Sequence, residues 1–298
     1  AVGRILQLLH VGTLVTDRGE CATPMFMPVG TLGTVKAMTP EELESLGAGV
    51  ILANTYHLHL RPGDDVVKTL GGLHRFMHWR GPILTDSGGY QIHSLAELNQ
   101  VTEEGVGFQS HVDGTRLFLS PEKAVAIQEA LGSDIMMCLD HLVSLPADMP
   151  TLREAVARTT RWAQRCKQAR TGCSALFGIV QGGTEPELRR ESVAALREIG
   201  FDGYAIGGLS VGEESVPFQE TVAFTAPLLP ADQPRYLMGS GEPEDLLAAI
   251  GAGVDMFDCV LPTRNARNGS LYTRDGKVSI KQTRYRTDPA PLAAECPC

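Results

Sequence analysis

The apolar run MFDCVLPTR, at residues 256–264, contains a single carboxylate, Asp258, and ends on a cation. A run of this composition is typical of a buried strand, where a lone aspartate is costly unless it is paired or used chemically. Two other apolar runs carry a carboxylate in the same position: PILTDSGGY contains Asp86, and MMCLD ends at Asp140. Three strands that end in carboxylates predict one site at one end of one sheet.

Eight short apolar runs occur along the chain, with helical segments between most of them. They cover residues 24–30, 50–56, 82–88, 134–140, 175–181, 203–209, 235–241 and 255–261. About eight buried strands alternating with helices in 298 residues predict an α/β fold, a (β/α)8 TIM-type barrel. The alternative is a doubly wound open sheet, which would need a glycine-rich phosphate loop after its first strand, and residues 30–33 do not fit that pattern.

Local signals predict some of the helices. The sequence TPEE at 39–42 is a capping box with proline at the first helical position. Thr184 with Glu187 is expected to cap a second helix, and the apolar spacing over 151–170 predicts a third. Residues 87–120 contain polar hairpin material and are expected to form an insertion rather than a helix.

Composition excludes several classes of protein. Hydrophobic residues make up 43% and charged residues 20%, as in soluble globular enzymes, and no apolar stretch is long enough to predict a membrane span. The net charge of −9 argues against general affinity for nucleic acids. The seven cysteines are mostly scattered, which predicts buried thiols in a reducing, cytoplasmic compartment rather than a disulfide framework.

One segment reverses the acidic average. Residues 264–286 contain seven cations and one anion, so this basic segment is +6 and the rest of the chain is −15. Tyr272 and Tyr285 lie among the cations, a pattern typical of a surface that binds phosphates and unstacked bases. A solvated hairpin is the simpler alternative, because RDGK at 274–277 is a good turn. The position just after Asp258 favours nucleic-acid binding.

Polar and small residues occupy the predicted carboxyl ends of the strands, which face one pocket in a barrel. Two aspartates can act as nucleophile and acid/base at a glycosidic carbon. Asp140 and Gln181 suit the edge of a heterocycle, Tyr90 and Met238 suit the faces of a flat ring, and a Gly-Gly pair admits a ligand close to the backbone. Each residue alone has a simpler explanation as a cap or a core residue; the set together indicates a site.

Eight motifs together resemble the tRNA-guanine transglycosylase family, also called queuine tRNA-ribosyltransferase. They are TPMFMPVG (23–30), NTYHL (54–58), LRPG (60–63), LTDSGGYQ (84–91), QGG (181–183), YAIGGL (204–209), YLMG (236–239) and MFDCVLPTR (256–264). The resemblance covers the chain from about Gly12 onward. It implies a single barrel domain over residues 1–298, with a zinc-bearing module beginning at about 288–298.

The resemblance implies an exchange of guanine, at the wobble position of tRNAs with a G-U-N anticodon, for a 7-deazaguanine. Asp258 matches the nucleophile that forms a covalent bond to the ribose, and Asp86 matches the general acid/base. The residues implied in binding the base are Asp140, Gln181, Gly208, Leu209, Tyr90, Met238, Glu213 and Asn54. Those implied in binding RNA are Arg264, Arg267, Lys277, Lys281, Arg284 and Arg286.

Two departures from the family pattern affect the expectations. Leu142, after His141, replaces the cysteine of bacterial or the valine of eukaryotic members, whereas Val211 is of the bacterial type. We expect 7-aminomethyl-7-deazaguanine as the incoming base, with queuine as the alternative. The zinc module is represented only by Cys296 and Cys298, half of a four-ligand Zn²⁺ site, so further ligands are expected from a longer chain or a partner. The family resemblance also implies a homodimer for the full-length protein.

Three other functions remain open. A non-catalytic tRNA-binding subunit of the same family would lack the nucleophile, which this chain retains. A retaining glycosidase of small molecules would not need the basic segment. A DNA-modifying relative is the weakest alternative.

Overall fold

Parallel strands with buried side chains form the centre of the molecule in the computed structural model, which describes residues 11–95, 99–209, 211, 215–274 and 276–292. The strands are Gly12–Thr16 (β1), Gly19–Thr23 (β2), Met25–Met27 (β3), Val29–Gly30 (β4), Ile51–Ala53 (β5), Ile83–Thr85 (β6), Asn99–Val101 (β7), Val106–Gln109 (β8), Arg116–Leu119 (β9), Ile135–Met137 (β10), Ala175–Val180 (β11), Gly203–Ile206 (β12), Arg235–Leu237 (β13), Met256–Asp258 (β14), Ser270–Thr273 (β15) and Gly276–Ser279 (β16).

Helices follow most of the parallel strands. The α-helices are Pro40–Ser45 (α1), Thr55–Leu60 (α2), Asp64–Thr69 (α3), Leu73–Met77 (α4), Gly89–Leu95 (α5), Pro121–Leu131 (α6), Met149–Ala169 (α7), Pro186–Ile199 (α8), Ser215–Thr225 (α9), Pro243–Gly251 (α10) and Leu261–Arg267 (α11), with 3-10 turns at Ala226–Leu228 and Thr283–Tyr285. Among the described residues no helix combines the length and the apolar character that crossing a membrane requires.

The parallel sheet closes on itself. Its order is β3-β14-β13-β12-β11-β10-β6-β5-β4. Only Pro28 separates β3 from β4, and proline has no N–H to donate to a ladder, so these two segments are halves of one strand. The first half pairs with β14 and the second with β5, both in parallel. Eight strand positions therefore form a ring, which confirms the (β/α)8 barrel, and each of the eight predicted runs contains one of its strands.

The two ends of the barrel differ. At the amino ends of the strands, the β1–β2 hairpin places Leu14 and Cys21 in the same apolar cluster as barrel residues such as Met27, Leu84 and Phe177. The hairpin therefore seals this end. A second cluster fills the space between the strands and the surrounding helices. The hairpin does not cover the carboxyl ends of the strands, so a cavity can open at that end of the barrel.

Two of the predicted helices form as expected. Thr39 caps α1 with the reciprocal bonds of a capping box. The helix predicted over 151–170 is present as α7, which begins earlier because Asp148 accepts from the N–H of Thr151. The prediction that Thr184 caps the next helix is wrong. Helix α8 starts at Pro186 and its cap residue is Glu185, because a turn closed by Glu185 N–H and Gly182 C=O occupies the preceding residues.

The prediction for residues 87–120 is right for one part and wrong for another. Strands β7, β8 and β9 form a three-stranded antiparallel sheet, as expected of hairpin material. Residues 89–95 are nevertheless helical, because α5 buries Gly89 and Ile92 and needs only those two positions to pack. So short an apolar pattern gives no helical periodicity in the sequence.

The basic segment forms an antiparallel hairpin, β15 with β16, as the turn predicts. Its cations at 264, 267, 274, 277, 281, 284 and 286 are all exposed. Five cysteines are free thiols, of which Cys21, Cys138, Cys166 and Cys259 are buried. Cys173 is exposed, so the expectation of buried thiols is wrong at that position.

Candidate active site

A cavity of about 610 Å³ opens at the carboxyl ends of the barrel strands. Its lining includes one or more residues from the end of almost every strand: Val29, Asn54, Asp86, Asp140, Gly207, Gly208, Met238, Gly239 and Asp258. Three carboxylates from different strands therefore face one enclosed space. This is the arrangement that a barrel produces when polar residues occupy the ends of its strands.

Asp258, the last residue of β14, is half-buried and receives two hydrogen bonds on one oxygen. Tyr236 Oη donates to Asp258 Oδ1 at 2.6 Å, and the backbone N–H of Gly239 donates to the same atom at 2.8 Å. Burial raises the pKa of Asp258 above its ordinary value, and the two donors partly oppose that shift. The carboxyl group is thus fixed in place by these two donors, and among the described residues no cation forms an ion pair with it.

Tyr236 was not among the residues predicted for the site. It lies on β13 and is completely buried. Burial, followed by the nearby charge of Asp258, raises its pKa well above the usual value, so its hydroxyl stays protonated and serves as a donor. The sequence includes Tyr236 in the YLMG motif, but that motif does not show that its hydroxyl reaches Asp258.

Asp86 follows β6 and is more deeply buried than Asp258, with 8% of its surface exposed. The Thr55 N–H donates to Asp86 Oδ1 at 2.8 Å, and Asn54 Nδ2 donates to Oδ2. Burial raises the pKa of Asp86 to about 6, and the charge of Asp258 adds to the rise against these donors. A carboxyl group with this pKa can both give and accept a proton near neutral pH.

Asn54 occupies the cap position of α2 without making a side-chain capping bond, because its amide is committed to Asp86. It is buried and also lines the cavity. Its observed contact is therefore with a carboxylate of the site, and sequence reasoning had assigned it only to the base. His57 and Gln91 line the same cavity and were not among the predicted residues.

Asp140 and Gln181 form a hydrogen-bonded pair. Gln181 Nε2 donates to Asp140 Oδ2 at 2.6 Å, and Ser87 Oγ lies 3.5 Å from the other oxygen. Burial raises the pKa of Asp140 to about 6. Asp140 is part of the cavity lining, whereas Gln181 is 3% exposed and lies behind it.

Gly208 and Leu209 form part of the wall beside Asp140. Gly208 has a φ of +65°, and a Cβ atom there would lie 2.2 Å from Gln181 Oε1, so only glycine fits. Tyr90, at the start of α5, is 52% exposed, and Met238 is partly buried. Both line the cavity with their apolar parts available to a flat ligand.

Leu142 and His141, which depart from the family pattern, differ in their position relative to the cavity. Leu142 lines the cavity, and His141 does not. Burial, followed by the charge of Arg158, lowers the pKa of the His141 imidazole to about 4, so this histidine is neutral. The carbonyl of Val211 accepts from the N–H of Leu145.

The basic segment is attached to the rim of the cavity. Helix α11 carries Arg264 and Arg267 and follows Asp258 directly. In the hairpin, Tyr272 Oη donates to Glu242 Oε2 at 2.9 Å, and Glu242 lies just after β13. Asn265 Nδ2 donates to the same hydroxyl at 2.9 Å. Leu261, the first residue of α11, lines the cavity, so the basic segment begins at the cavity rim.

Three predicted residues, Glu213, Cys296 and Cys298, lie outside the described residues. Within the described ranges, no group of three or more His, Cys, Asp or Glu side chains could hold a metal ion. The structure therefore offers no complete set of zinc ligands in the part of the chain that it describes.

Comparison with known proteins gives one consistent result. Residues 8–298 match the family model described as queuine tRNA-ribosyltransferase. A queuine tRNA-ribosyltransferase from Solidesulfovibrio magneticus is 58% identical over 288 residues, which are 96% of this chain and 77% of that protein. Those from Halothermothrix orenii and Geobacillus kaustophilus are 54% and 55% identical, over 97% of this chain and 78% and 77% of their own lengths. The motifs quoted above are thus part of a similarity that covers nearly the whole chain.

Proposed function

The chain belongs to the queuine tRNA-ribosyltransferase family and is a pentosyl-transferring enzyme, and from this premise we propose that it exchanges guanine in the anticodon loop of tRNA for a 7-deazaguanine through a covalent intermediate on Asp258. The observation that carries the proposal is the cavity shared by Asp258 and Asp86. The first is held by two hydrogen-bond donors and the second has a pKa of about 6.

The exchange takes two balanced steps. A carboxylate oxygen of Asp258 attacks the ribose C1′, the bond from C1′ to N9 of guanine breaks, and protonated Asp86 gives its proton to the leaving base. The incoming base then transfers its N9 proton to the Asp86 carboxylate and attacks C1′, which releases Asp258. The nucleotide has to be turned out of its stack to enter the cavity.

The base-binding wall supports a purine-like ligand. Asp140 accepts hydrogen bonds from the ring N–H and the amino group of guanine, and Gly208 offers a backbone donor to the oxygen on the same edge. Tyr90 and Met238 provide flat apolar contacts for the two ring faces. Val211, which is of the bacterial type, supports 7-aminomethyl-7-deazaguanine over queuine as the incoming base, whereas Leu142 does not distinguish the two.

The exposed basic segment supports RNA as the carrier of the exchanged base. Arg264, Arg267 and the hairpin cations are exposed in the segment that follows Asp258, and we assign them to the phosphates that flank an extruded nucleotide. A small-molecule glycosidase would not need the basic segment. A non-catalytic subunit would not need the nucleophile, which this chain retains. We also propose a cytoplasmic setting, in keeping with five free thiols.

The proposal extends to a homodimer and to structural zinc, but no step of the reaction depends on either. Cys296 and Cys298 supply two thiolates, and a closed tetrahedral zinc site takes four ligands. These two residues therefore do not suffice for a site by themselves. Metal analysis of the protein with and without a longer C-terminal segment tests this part separately.

Replacement of the proposed nucleophile tests the reaction directly. In Asp258→Asn, the side-chain carbonyl still accepts from Tyr236 and Gly239, but the amide is not a nucleophile. The unmodified protein, mixed with a G-U-N tRNA, is expected to give an RNA–protein adduct on denaturing gels, and the variant to give none. Guanine binding by calorimetry should persist in the variant, which controls for folding. An adduct that survives in Asp258→Asn contradicts the proposal.

A further inference from the structure

Arg189 lies under the cavity wall and is completely buried. Its Nη1 donates to the carbonyls of Gly207 at 2.7 Å and Val180 at 3.1 Å, its Nε to Gly183 at 2.8 Å, and its Nη2 to Gly208 at 3.4 Å. A buried guanidinium is costly unless its donors are satisfied, and here four of its hydrogen bonds go to backbone carbonyls. Most arginines are exposed, so this placement indicates a specific use.

The bonds to Arg189 fix the direction of two peptide units. In a trans peptide the C=O and the N–H point in opposite directions. Because the Gly207 carbonyl is directed toward Arg189, the N–H of Gly208 is directed away from it, toward the cavity. The Gly208 carbonyl orients the N–H of Leu209 in the same way. In the part of the chain that the structure describes, neither of these two N–H groups donates to another protein group.

We propose that Arg189 is a positioning residue that aims the N–H groups of Gly208 and Leu209 at the 6-position of a bound purine, and that the site thereby selects 6-oxo over 6-amino bases. This inference rests on the proposed function. A 6-oxo group accepts from both N–H groups, whereas a 6-amino group would leave buried donors facing a donor. The positive charge of the guanidinium also polarises the two peptides and strengthens them as donors.

Lysine cannot replace arginine in this role. Its ammonium is a single point with three donors, whereas the guanidinium presents five donors in a planar fork. The carbonyls of Gly183 and Gly208 are reached by different nitrogens of Arg189. In Arg189→Lys at least one glycine peptide is therefore released, and the direction of its neighbour's N–H is no longer fixed.

Arg235 provides a matched control at the opposite end of the barrel. It is also buried, at 7% exposure, and it also donates to backbone carbonyls: Nη2 to Leu229 at 2.9 Å, Nε to Pro230 at 3.1 Å and Nη1 to Gly253 at 3.2 Å. It starts β13, on the side away from the cavity. Arg235→Lys thus reproduces the loss of a buried guanidinium without touching the base-binding wall.

The test measures base selectivity by calorimetry, with guanine and 2,6-diaminopurine, which differ at the 6-position and in ring protonation. The unmodified protein is expected to bind guanine about 100-fold more tightly. The ratio should fall about tenfold or more in Arg189→Lys and stay unchanged in Arg235→Lys, although both variants lose thermal stability. Equal ratios in the two variants overturn the inference and leave the proposed function standing.

Two further outcomes are informative. If the unmodified protein binds no guanine, the proposed function fails and the inference fails with it. If Arg189→Lys does not fold, hydrogen exchange on the unmodified protein decides: bound guanine must slow exchange at the amides of Gly208 and Leu209. Guanine that binds without slowing these two amides overturns the inference.

Discussion

At the scale of single residues, the two carboxyl groups of Asp258 and Asp86 differ in the hydrogen-bond donors that surround them. Asp258 receives a hydroxyl and a backbone N–H on one oxygen, whereas Asp86 receives an amide and a backbone N–H on different oxygens. Asp86 also responds to the charge of Asp258, which raises its pKa. When one carboxylate is ionised, the other is therefore more readily protonated, as a nucleophile and an acid acting together require.

Tyr236→Phe is expected to lower the turnover of base exchange and to move the acid limb of its pH profile. Loss of the hydroxyl removes a donor that lowers the pKa of Asp258, so this pKa rises further and the carboxylate is lost at a higher pH. A hydrogen bond to a charged group is worth about 1.5–3 kcal/mol, which corresponds to roughly a 10- to 100-fold loss in rate.

Tyr204→Phe is the matched control for that variant. Tyr204 is a buried tyrosine on the neighbouring strand, and its hydroxyl accepts from Phe201 N–H at 3.4 Å rather than contacting the cavity. Its pH profile of base exchange should match that of the unmodified protein. An unshifted acid limb in Tyr236→Phe would show that the hydroxyl does not tune Asp258.

Asp140→Asn is expected to stabilise the fold near neutral pH. The folded-state pKa of Asp140 is about 6, above the ordinary value of 3.8, so its ionisation opposes folding. The penalty is absent below the ordinary value, grows as pH rises from about 4 to about 6, and is complete above that. The variant avoids it, and because Asp140 is only half-buried we expect a gain on the order of 1–2 kcal/mol at pH 7.

Chemical denaturation at a series of pH values measures this effect. The gain in unfolding free energy should grow between about pH 4 and pH 7 and be absent at the acidic end. Asp148→Asn is the control, because Asp148 caps α7 at the surface and its pKa is lowered by its hydrogen bonds to Thr151. That variant should show no such rise between about pH 5 and pH 7. A gain that is the same at all pH values would point to packing rather than ionisation.

At the scale of secondary-structure elements, the basic hairpin is positioned by the bond between Tyr272 and Glu242 rather than by apolar packing, since none of its residues in β15 and β16 is fully buried. Lys277 and Lys281 are exposed at the surface of this hairpin, where phosphates can reach them. Lys277 lies over the Tyr272 ring at 5.3 Å, and a base could not occupy that face without displacing it.

Removal of two hairpin charges is expected to reduce the salt dependence of tRNA binding. In Lys277→Gln with Lys281→Gln, two phosphate contacts are lost, and the slope of log affinity against log salt should decrease by about 1.5. Filter binding over a range of salt concentrations measures it. The control, Lys68→Gln with Arg75→Gln, removes two exposed charges from α3 and α4. A slope that changes equally in both double variants would exclude a specific role for the hairpin.

The barrel strands were predictable because a buried parallel strand is a continuous apolar run, which the sequence displays directly. The same runs predicted that Asp86, Asp140 and Asp258 would meet at one end of the sheet, whereas the roles assigned to them come from the family resemblance. Tyr236 was not, because it meets Asp258 only through the parallel register in which Tyr236 pairs with Met256 and Leu237 with Phe257. Arg189 was not, because nothing in a helical sequence distinguishes a buried arginine from the solvated ones beside it.

At the scale of the whole molecule, the two ends of the barrel are specialised. The amino end is closed by the β1–β2 hairpin and by Asp134, which forms an ion pair with Arg18 and a hydrogen bond with His74. Asp134 also accepts from the N–H of Ile83 at 2.7 Å, so it connects neighbouring strands. The carboxyl end holds Asp86, Asp140 and Asp258 and the cavity that they line.

The position of the basic hairpin beside the cavity makes the molecule an electric dipole. The segment that carries +6 is at the mouth, and the rest of the chain carries −15. A nearby polyanion is attracted by the basic segment and repelled by the net negative charge of the rest, so it experiences a torque that turns the basic segment toward it. This torque acts only over about 8 Å at physiological salt. The charge distribution of the folded chain therefore favours one orientation of an approaching polyanion before any base enters the cavity.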